Sequence, residues 1–208
     1  MNTFKISTII TAGGSSNRFG SNKLLEKIAN KTIIETTIEK FLPIVDEIII
    51  PTSPEVQEKI TIKNEKIKFT TGGKTRQESV YNGLLACEYR DFVLIHDGAR
   101  PFIKEETIKE TIEKVKKLGA VVVGANAVDT IKICNDKGEI ISTPKRETVF
   151  HAQTPQAFKY LEILEAHEKL KGKNFTDDSS MMEYLGHKIY IVEASHENKK
   201  ITFREDLN

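Results

Sequence analysis

Residues 11–23 read Thr-Ala-Gly-Gly-Ser-Ser-Asn-Arg-Phe-Gly-Ser-Asn-Lys, a stretch that gathers several groups suited to a polyanion. Gly13 and Gly14 lack a Cβ, so backbone N–H groups there can approach a ligand closely. Ser15, Ser16 and Asn17 add hydrogen-bonding side chains, and Arg18 and Lys23 bring a guanidinium and an ammonium. An array of donors flanked by cations fits a polyphosphate. The plainer alternative is a polar strand-to-helix turn with surface cations. The spacing matches neither G-x-G-x-x-G nor G-x-x-x-x-G-K-[ST], so this is a phosphate loop of another kind.

The elements that must position the loop are legible around it. Phe4 to Ile10 is rich in β-branched residues and predicts a buried first strand that delivers the loop to a sheet edge. Ile33, Ile34, Thr37, Ile38 and Phe41 recur at helical spacing, ending before Pro43. Further strands are expected at 47–51, 67–71, 92–95, 120–123 and 188–192. Helices are expected at 54–60, from about Thr75, around Ile108 to Val115 with Gly119 as C-cap, around Ile163 to Leu170, and at 178–185, with another starting near Arg204. Alternating strands and helices predict an α/β fold: a doubly wound, mostly parallel Rossmann-like sheet with helices on both faces. Ligands bind such sheets beyond the carboxyl ends of the strands. The loop after strand one, Gly72-Gly73 after strand three and His96-Asp97-Gly98 after strand four all fall at that edge. Three elements therefore converge on one crevice.

Residues 130–142 break the pattern. Ile131 and Ile133 alternate with Lys132 and Cys134, Asn135-Asp136-Lys137-Gly138 is a turn, and Ile140-Ile141 leads back. This is a β-hairpin arm without a covering helix, and its isoleucines suggest contact with another subunit rather than decoration.

Composition narrows the class. The 208 residues fit one domain, 1–208, and 38% hydrophobic with 29% charged residues is ordinary for a soluble globular protein. No apolar run approaches the roughly 20 residues of a membrane span, and the first residues lack a signal-peptide pattern. The two cysteines, Cys87 and Cys134, give no disulfide framework and no metal-ligand spacing. These features predict a cytoplasmic protein without a membrane partner. A net charge of +1 argues against general nucleic-acid binding, so an anionic substrate has to be met by cations placed locally.

The motifs together resemble the 2-C-methyl-D-erythritol 4-phosphate cytidylyltransferase family of the non-mevalonate isoprenoid pathway. They comprise Ala12-Gly13-Gly14 with Arg18 and Lys23, Gly72-Gly73 followed by Arg76 and Ser79-Val80, His96-Asp97-Gly98-Ala99-Arg100-Pro101, and Asp129-Thr130-Ile131-Lys132. Gln153-Thr154-Pro155-Gln156-Ala157-Phe158, Thr176-Asp177-Asp178 and Lys200-Ile201-Thr202 with Glu205-Asp206-Leu207 complete the series in order. The resemblance implies CMP transfer from CTP to methylerythritol phosphate, with release of pyrophosphate. It implies that Ala12, Gly13, Gly14, Gly73, Lys74 and Ser79 hold the cytidine end, partly through backbone atoms. Asp97 and Gly98 would lie near the ribose and substrate, and Arg18, Lys23 and Lys200 would surround the phosphates as the catalytic cations. Arg100, Thr130, Arg146 and Thr154 would handle the methylerythritol phosphate, some of them across a homodimer with shared active sites. Three departures from the family pattern are Ser16 for a usual Gly, Asn22 for a usual Pro, and Arg204 where Pro is common; none removes a cation the chemistry needs.

That chemistry suits these residues. A phosphate monoester is already anionic near neutral pH, so it needs no general base. Positioning and electrostatic stabilisation dominate such a transfer, which calls for arginine, lysine and Mg2+. The metal is expected to ride mainly on the nucleotide phosphates, with Asp97 as a lone candidate carboxylate and no dedicated protein metal site. His96 and His151 are expected to be structural hydrogen-bonders, and Cys87 to pack in the core. The nearest competing reading is a cytidylyltransferase for another polyol phosphate such as ribitol 5-phosphate. A dinucleotide-binding oxidoreductase is disfavoured because Pro51-Thr52-Ser53 stands where an acidic residue should meet the ribose. A non-catalytic regulatory relative is disfavoured by the presence of Arg18, Lys23 and Lys200.

Overall fold

The computed structural model describes residues 4–13 and 22–207. In chain order the strands are β1 (Ile6–Thr11), β2 (Lys27–Ile28), β3 (Lys31–Thr32), β4 (Glu47–Thr52), β5 (Ile67–Thr71), β6 (Phe92–Asp97), β7 (Ala120–Asn126), β8 (Ile133–Cys134), β9 (Ile140–Ser142), β10 (Phe150–Lys159) and β11 (Tyr190–Glu193). The α-helices are α1 (Ile33–Phe41), α2 (Pro54–Lys59), α3 (Arg76–Ala86), α4 (Glu105–Leu118), α5 (Tyr160–Lys169) and α6 (Asp178–Tyr184). None of them is long and apolar enough to cross a membrane.

Local sequence explains the starts and stops. Thr32 and Glu35 form a reciprocal capping box on α1, Ser53 caps α2 ahead of Pro54, and Thr75 caps α3. Helix α4 ends at Gly119, whose φ of 86° is open to glycine at little steric cost. In β1, β4 and β6 every residue except Thr11 is buried, as expected for strands covered on both faces. Alternate residues feed two cores. Ile10, Ile48, Ile50 and Leu94 pack with α1, α2 and α4, whereas Ile9, Ile49, Val93 and Ile95 pack with α3, α5 and α6.

The main sheet has seven strands in the order β11-β7-β10-β6-β1-β4-β5. The chain runs outward from β1 through β4 to β5, then returns across β1 to start β6 on its other side. The switch point thus lies between β1 and β6, whose parallel register runs from Ile6 opposite Phe92 to Thr11 opposite Asp97. A crevice opens there beyond the carboxyl ends of the strands.

One strand of the main sheet was not foreseen, nor was the small β2–β3 pair. β10 pairs antiparallel with both β6 and β7, in the middle of the sheet. Pro155 argues against a central strand, because proline cannot donate to the ladder. The register shifts between Ala152 and Gln156, so Pro155 sits where the ladder is interrupted. The antiparallel run brings Gln153 and Thr154 to the carboxyl end of β6, which a parallel strand here would not do. Smaller corrections concern boundaries. β1 starts at Ile6 and β11 at Tyr190, and Arg204–Leu207 is a single 3-10 turn. The 130–142 hairpin exists, but it pairs only through Ile133–Cys134 and Ile140–Ser142. Val128, Ile133, Ile140 and Ile141 are all exposed there.

Candidate active site

Two glycine loops meet above the end of β4. The Ala12 N–H donates to the Pro51 carbonyl at 3.1 Å, and the Gly72 N–H to the Thr52 carbonyl at 2.9 Å. The loops after β1 and β5 are therefore hung from the strand between them. A Cβ on Gly13 would come within 2.9 Å of Ser79 Oγ, and one on Gly73 within 2.2 Å of Glu78 Cβ. Both positions need glycine because the backbones approach α3 too closely for any side chain. The Gly73 N–H donates to Ser79 Oγ at 3.0 Å, Ser79 Oγ donates to the Thr75 carbonyl at 3.0 Å, and the Lys74 N–H donates to Glu78 Oε2 at 2.7 Å. Ala12, Gly13, Gly73, Lys74 and Ser79 are thus brought to one edge of the sheet. The Ser79 hydroxyl proton is already committed to Thr75, so its first role is to fix the Gly73 turn. Gly14 and Arg18, together with Ser16, lie outside the described residues.

The electrostatic centre is Asp97, at the end of β6. Its side chain is 8% exposed and faces three cations. Oδ1 accepts from Arg76 Nε at 3.2 Å, Oδ2 accepts from Lys200 Nζ at 2.8 Å, and Arg100 Nε lies 3.7 Å from Oδ2, an ion pair too long for a hydrogen bond. Burial opposes the charge, yet Arg76, Lys200 and Arg100 hold its carboxyl well below the usual carboxylate range. Gly98 is fitted as tightly, since a Cβ there would meet Ile34 Cδ1 and the Thr11 carbonyl at 2.8 Å.

A hydrogen-bond relay fixes the backbone of this turn. The Asp97 N–H donates to Thr154 Oγ1, which lies 3.1 Å from His96 Nδ1, while His96 Nε2 lies 3.1 Å from the Arg100 carbonyl. A carbonyl can only accept, so Nε2 carries the proton, and Nδ1 accepts from the Thr154 hydroxyl. Burial pushes the His96 pKa down to about 4, which keeps the ring neutral in its fully buried position. His96 is a structural hydrogen-bonder, as its sequence context suggests. Arg100 Nη1 donates to the Asn198 carbonyl at 2.8 Å. Asn198 in turn donates to Gln153 Oε1 and to the Thr154 carbonyl, each at 2.9 Å.

Lys23 approaches the same edge from the other side. It opens a short 3-10 turn, Lys23–Leu25, and its Nζ donates to the Ile201 carbonyl at 2.9 Å. Lys23 and Lys200 are therefore both held at residues 200–201, though far apart in sequence. Thr130 and Arg146 are placed differently. Both are exposed at the base of the arm, and Arg146 Nη1 donates to the Val128 carbonyl at 3.0 Å. Among the described residues, none of the contacts to Asp97 comes from either of them.

Arg76 and Asp178 belong to sequence motifs that by themselves assign them no task. Arg76 is divided between two carboxylates, with Nη1 donating to Asp178 Oδ2 at 2.8 Å as Nε serves Asp97. Asp178 is itself pinned, because its N–H donates to Gln156 Oε1 at 3.1 Å and its Oδ1 lies 3.3 Å from His167 Nε2. Gln156 continues outward to Asp177, the N-cap of α6. A buried polar chain thus runs from α6 through α3 to the crevice. The available sequence signal was a pair of acids and a lone arginine with helical neighbours, which a solvated surface explains equally well. Three cations, Arg76, Arg100 and Lys200, face two carboxylates, Asp97 and Asp178. This surplus of positive charge suits an arriving phosphate. No group of three His, Cys, Asp or Glu side chains able to hold a metal is present among the described residues. A cavity of about 710 Å³ lined by Thr36, Lys40, Phe102 and Lys199, among others, lies beside the Asp97 cluster rather than in it.

The chain as a whole is similar to known proteins. Residues 6–208 match the family model described as 2-C-methyl-D-erythritol 4-phosphate cytidylyltransferase. A protein of that name from Clostridium botulinum (strain Loch Maree / Type A3) is 44% identical over 220 residues, covering 98% of this chain and 94% of its own. One from Clostridioides difficile (strain 630) is 43% identical over 217 residues, covering 97% and 90%. Among solved structures, the 4-diphosphocytidyl-2C-methyl-D-erythritol synthase of Anaerococcus prevotii DSM 20548 superposes with a TM-score of 0.89 at 31% identity, over 98% of this chain and 93% of that one. The 2-C-methyl-D-erythritol 4-phosphate cytidylyltransferase of Francisella tularensis gives a TM-score of 0.83 at 29% identity, over 98% and 96%.

Proposed function

This chain belongs to the 2-C-methyl-D-erythritol 4-phosphate cytidylyltransferase family, and from that premise we propose how its own residues carry the reaction. The chain transfers CMP from CTP to 2-C-methyl-D-erythritol 4-phosphate, giving 4-diphosphocytidyl-2-C-methyl-D-erythritol and pyrophosphate, in isoprenoid precursor biosynthesis. A phosphate oxygen of the methylerythritol phosphate attacks the α-phosphorus of CTP. The bond from that phosphorus to the bridging oxygen breaks, and pyrophosphate leaves with the electron pair. No covalent intermediate is formed, and no side chain has to remove a proton.

The cytidine end lies against Ala12, Gly13, Gly14, Gly73, Lys74 and Ser79; with no side chain at Gly13 or Gly73, a ligand can approach the backbone there closely. Asp97 and Gly98 position the ribose side of the nucleotide. Lys23, Lys200 and Arg18 meet the phosphates, and Arg100, Thr154, Thr130 and Arg146 receive the methylerythritol phosphate. The observation that carries this reading is the Asp97 cluster. Its carboxylate presents Lys200 and Arg100 at the switch point, and Lys23 docks one residue away at Ile201. A phosphate arriving there adds a charge-assisted partner to Lys23, whose Ile201 acceptor is a neutral carbonyl.

Mg2+ is part of the proposal. Both oxygens of Asp97 already have cationic partners, which fits a metal that arrives on the nucleotide phosphates better than one caged by protein. When bound, it supplies neutralisation of phosphate charge. The rest of the reading is architectural. Residues 1–208 form one nucleotidylyltransferase domain with 130–142 as a dimerisation arm, in a cytoplasmic homodimer. The exposed Ile133, Ile140 and Ile141 support the dimer, since a partner would cover them. Arg146, exposed at the root of that arm, then serves the neighbouring site, where a guanidinium can bind phosphate bidentately.

The test is complementation. Arg146→Ala and Lys23→Ala subunits, each nearly inactive, are mixed under exchange conditions and assayed for pyrophosphate release. Equal mixing makes about half the dimers mixed, each with one intact site, so activity should recover to roughly a quarter of wild type. No recovery despite demonstrated exchange places Arg146 in its own subunit's site.

A further inference from the structure

Both lysines proposed to meet the phosphates depend on a short irregular segment. Lys200 projects from it to Asp97, and Lys23 docks onto its Ile201 carbonyl. Ile201 is fully buried and its N–H donates to the Ala99 carbonyl at 2.8 Å, which anchors the segment on the strand side. No strand or helix holds residues 198–203, so their carbonyl and side-chain directions need another restraint.

Asp206 supplies it. Its Oδ2 accepts from the Thr202 N–H at 2.7 Å and from the Phe203 N–H at 2.8 Å. Phe203 precedes the 3-10 turn Arg204–Leu207, and Asp206 is the third residue of that turn. The contact is therefore the acidic half of a capping box, in which a carboxylate reaches back to the N–H preceding the turn. The Asp206 N–H returns a bond to the Phe203 carbonyl at 3.2 Å, and Thr202 Oγ1 donates to the Lys200 carbonyl at 3.3 Å. The carboxyl is held below its usual range by these two N–H donors, so it remains an acceptor at working pH.

We propose that Asp206 is a positioning residue for the transfer reaction: it clamps Thr202 and Phe203 so that Lys200 and the Ile201 carbonyl that receives Lys23 stay aimed at one point. Nothing in this role needs Asp206 to touch a substrate. Without the clamp, the segment pivots about Ile201, and both ammonium groups lose their common aim. A misplacement of about 1 Å can lower a rate by roughly 10²-fold, so a loss in kcat follows even though the core is unchanged. The inference rests on the reading of Lys23 and Lys200 as phosphate-binding cations.

The experiment compares wild type, Asp206→Ala and Asp206→Asn by pyrophosphate release, and repeats Asp206→Ala in Lys200→Ala and Lys23→Ala backgrounds. Asp206→Ala should lower kcat about 10- to 100-fold with the melting temperature and the KM for CTP nearly unchanged. Asp206→Asn should recover to within about threefold of wild type, because its carbonyl oxygen can accept the same two N–H groups. In at least one lysine-deficient background the same change should cost several-fold less, since the group it aims is gone. Unchanged turnover in Asp206→Ala, an Asn variant as poor as the Ala variant, or equal losses in all three backgrounds overturns the clamp. If the wild-type protein turns over and either lysine variant loses nothing, the lysine assignment fails, and the clamp with it.

Discussion

Replacing Arg76 with methionine should reveal how much of the site is held by its shared guanidinium. The native group neutralises Asp97 at 3.2 Å and Asp178 at 2.8 Å, and the two carboxylates do not suffer equally from its loss. Asp97 keeps Lys200 at 2.8 Å and Arg100 at 3.7 Å, whereas Asp178, its side chain 1% exposed, keeps His167 at 3.3 Å as its one ion-pair partner among the described residues and loses its guanidinium. Removing one partner of a buried pair costs about 3–5 kcal/mol. For a domain of this size, each kcal/mol moves the melting temperature by about 2–4 °C, so Arg76→Met should melt about 6–20 °C lower near neutral pH. The sign of its pH dependence is fixed by Asp178. Arg76 lowers that pKa in the native fold, so the pair's stability is present above the ordinary carboxylate range and is lost as pH falls through the folded value. In the variant, burial raises the pKa against His167 and no longer against Arg76, so the carboxyl protonates more readily and the deficit against wild type narrows on acidification. Adding Asp178→Asn should restore most of the stability, while turnover stays low because Asp97 still lacks its Oδ1 partner. The assay is thermal denaturation at a series of pH values, read beside pyrophosphate release. A melting shift below about 2 °C, a deficit that does not narrow, or no recovery with Asp178→Asn refutes the reasoning.

Other consequences follow from the same geometry. His96, neutral in the fold with a pKa of about 4, must gain a proton on unfolding below its ordinary value, so wild-type stability should fall by about 3 kcal/mol between pH 6.5 and 4; His96→Gln should lose that component in urea titrations at the two pH values. Gly73→Ala would push a methyl to 2.2 Å from Glu78 Cβ, so the loop must shift; about 1–3 kcal/mol of stability and a several-fold rise in the KM for CTP are expected, and an unchanged KM would detach this loop from the nucleotide. Lys23→Ala should lower turnover by at least about 10²-fold with little change in melting, as for other preorganised phosphate contacts. CTP should be used far better than ATP, because two glycine loops in close contact with α3 leave little room for a purine; comparable turnover with ATP would remove the base assignment.

The alternation of strands and helices was legible because β1, β4, β6 and β7 are buried on both faces and read as continuous apolar runs, as in Ile48-Ile49-Ile50 and Val93-Leu94-Ile95. Helix α4 was the clearest element, since Ile108, Ile112 and Val115 share one face and Gly119 stops it. β10 was hidden because its middle carries Pro155, and local propensity cannot foresee a proline accommodated at a register shift inside a sheet. The site divided along similar lines. Gly13, Gly73, Asp97 and Lys200 stood out by type and by position at strand ends. Arg76, Asp178 and Asn198 work through contacts 102, 98 or more than 40 residues distant in sequence, which no window of neighbouring residues contains. Asp206 was visible only as part of a motif, because its partner is backbone rather than side chain.

The most direct test of cytidylyl transfer is phosphorus NMR of the purified protein incubated with CTP, Mg2+ and 2-C-methyl-D-erythritol 4-phosphate, beside a matched sample containing ribitol 5-phosphate. The expected result is loss of the monoester and CTP signals with growth of a diphosphodiester and of pyrophosphate, far faster with methylerythritol phosphate. A diphosphodiester formed preferentially from ribitol 5-phosphate, or CTP left intact beside methylerythritol phosphate, contradicts the account.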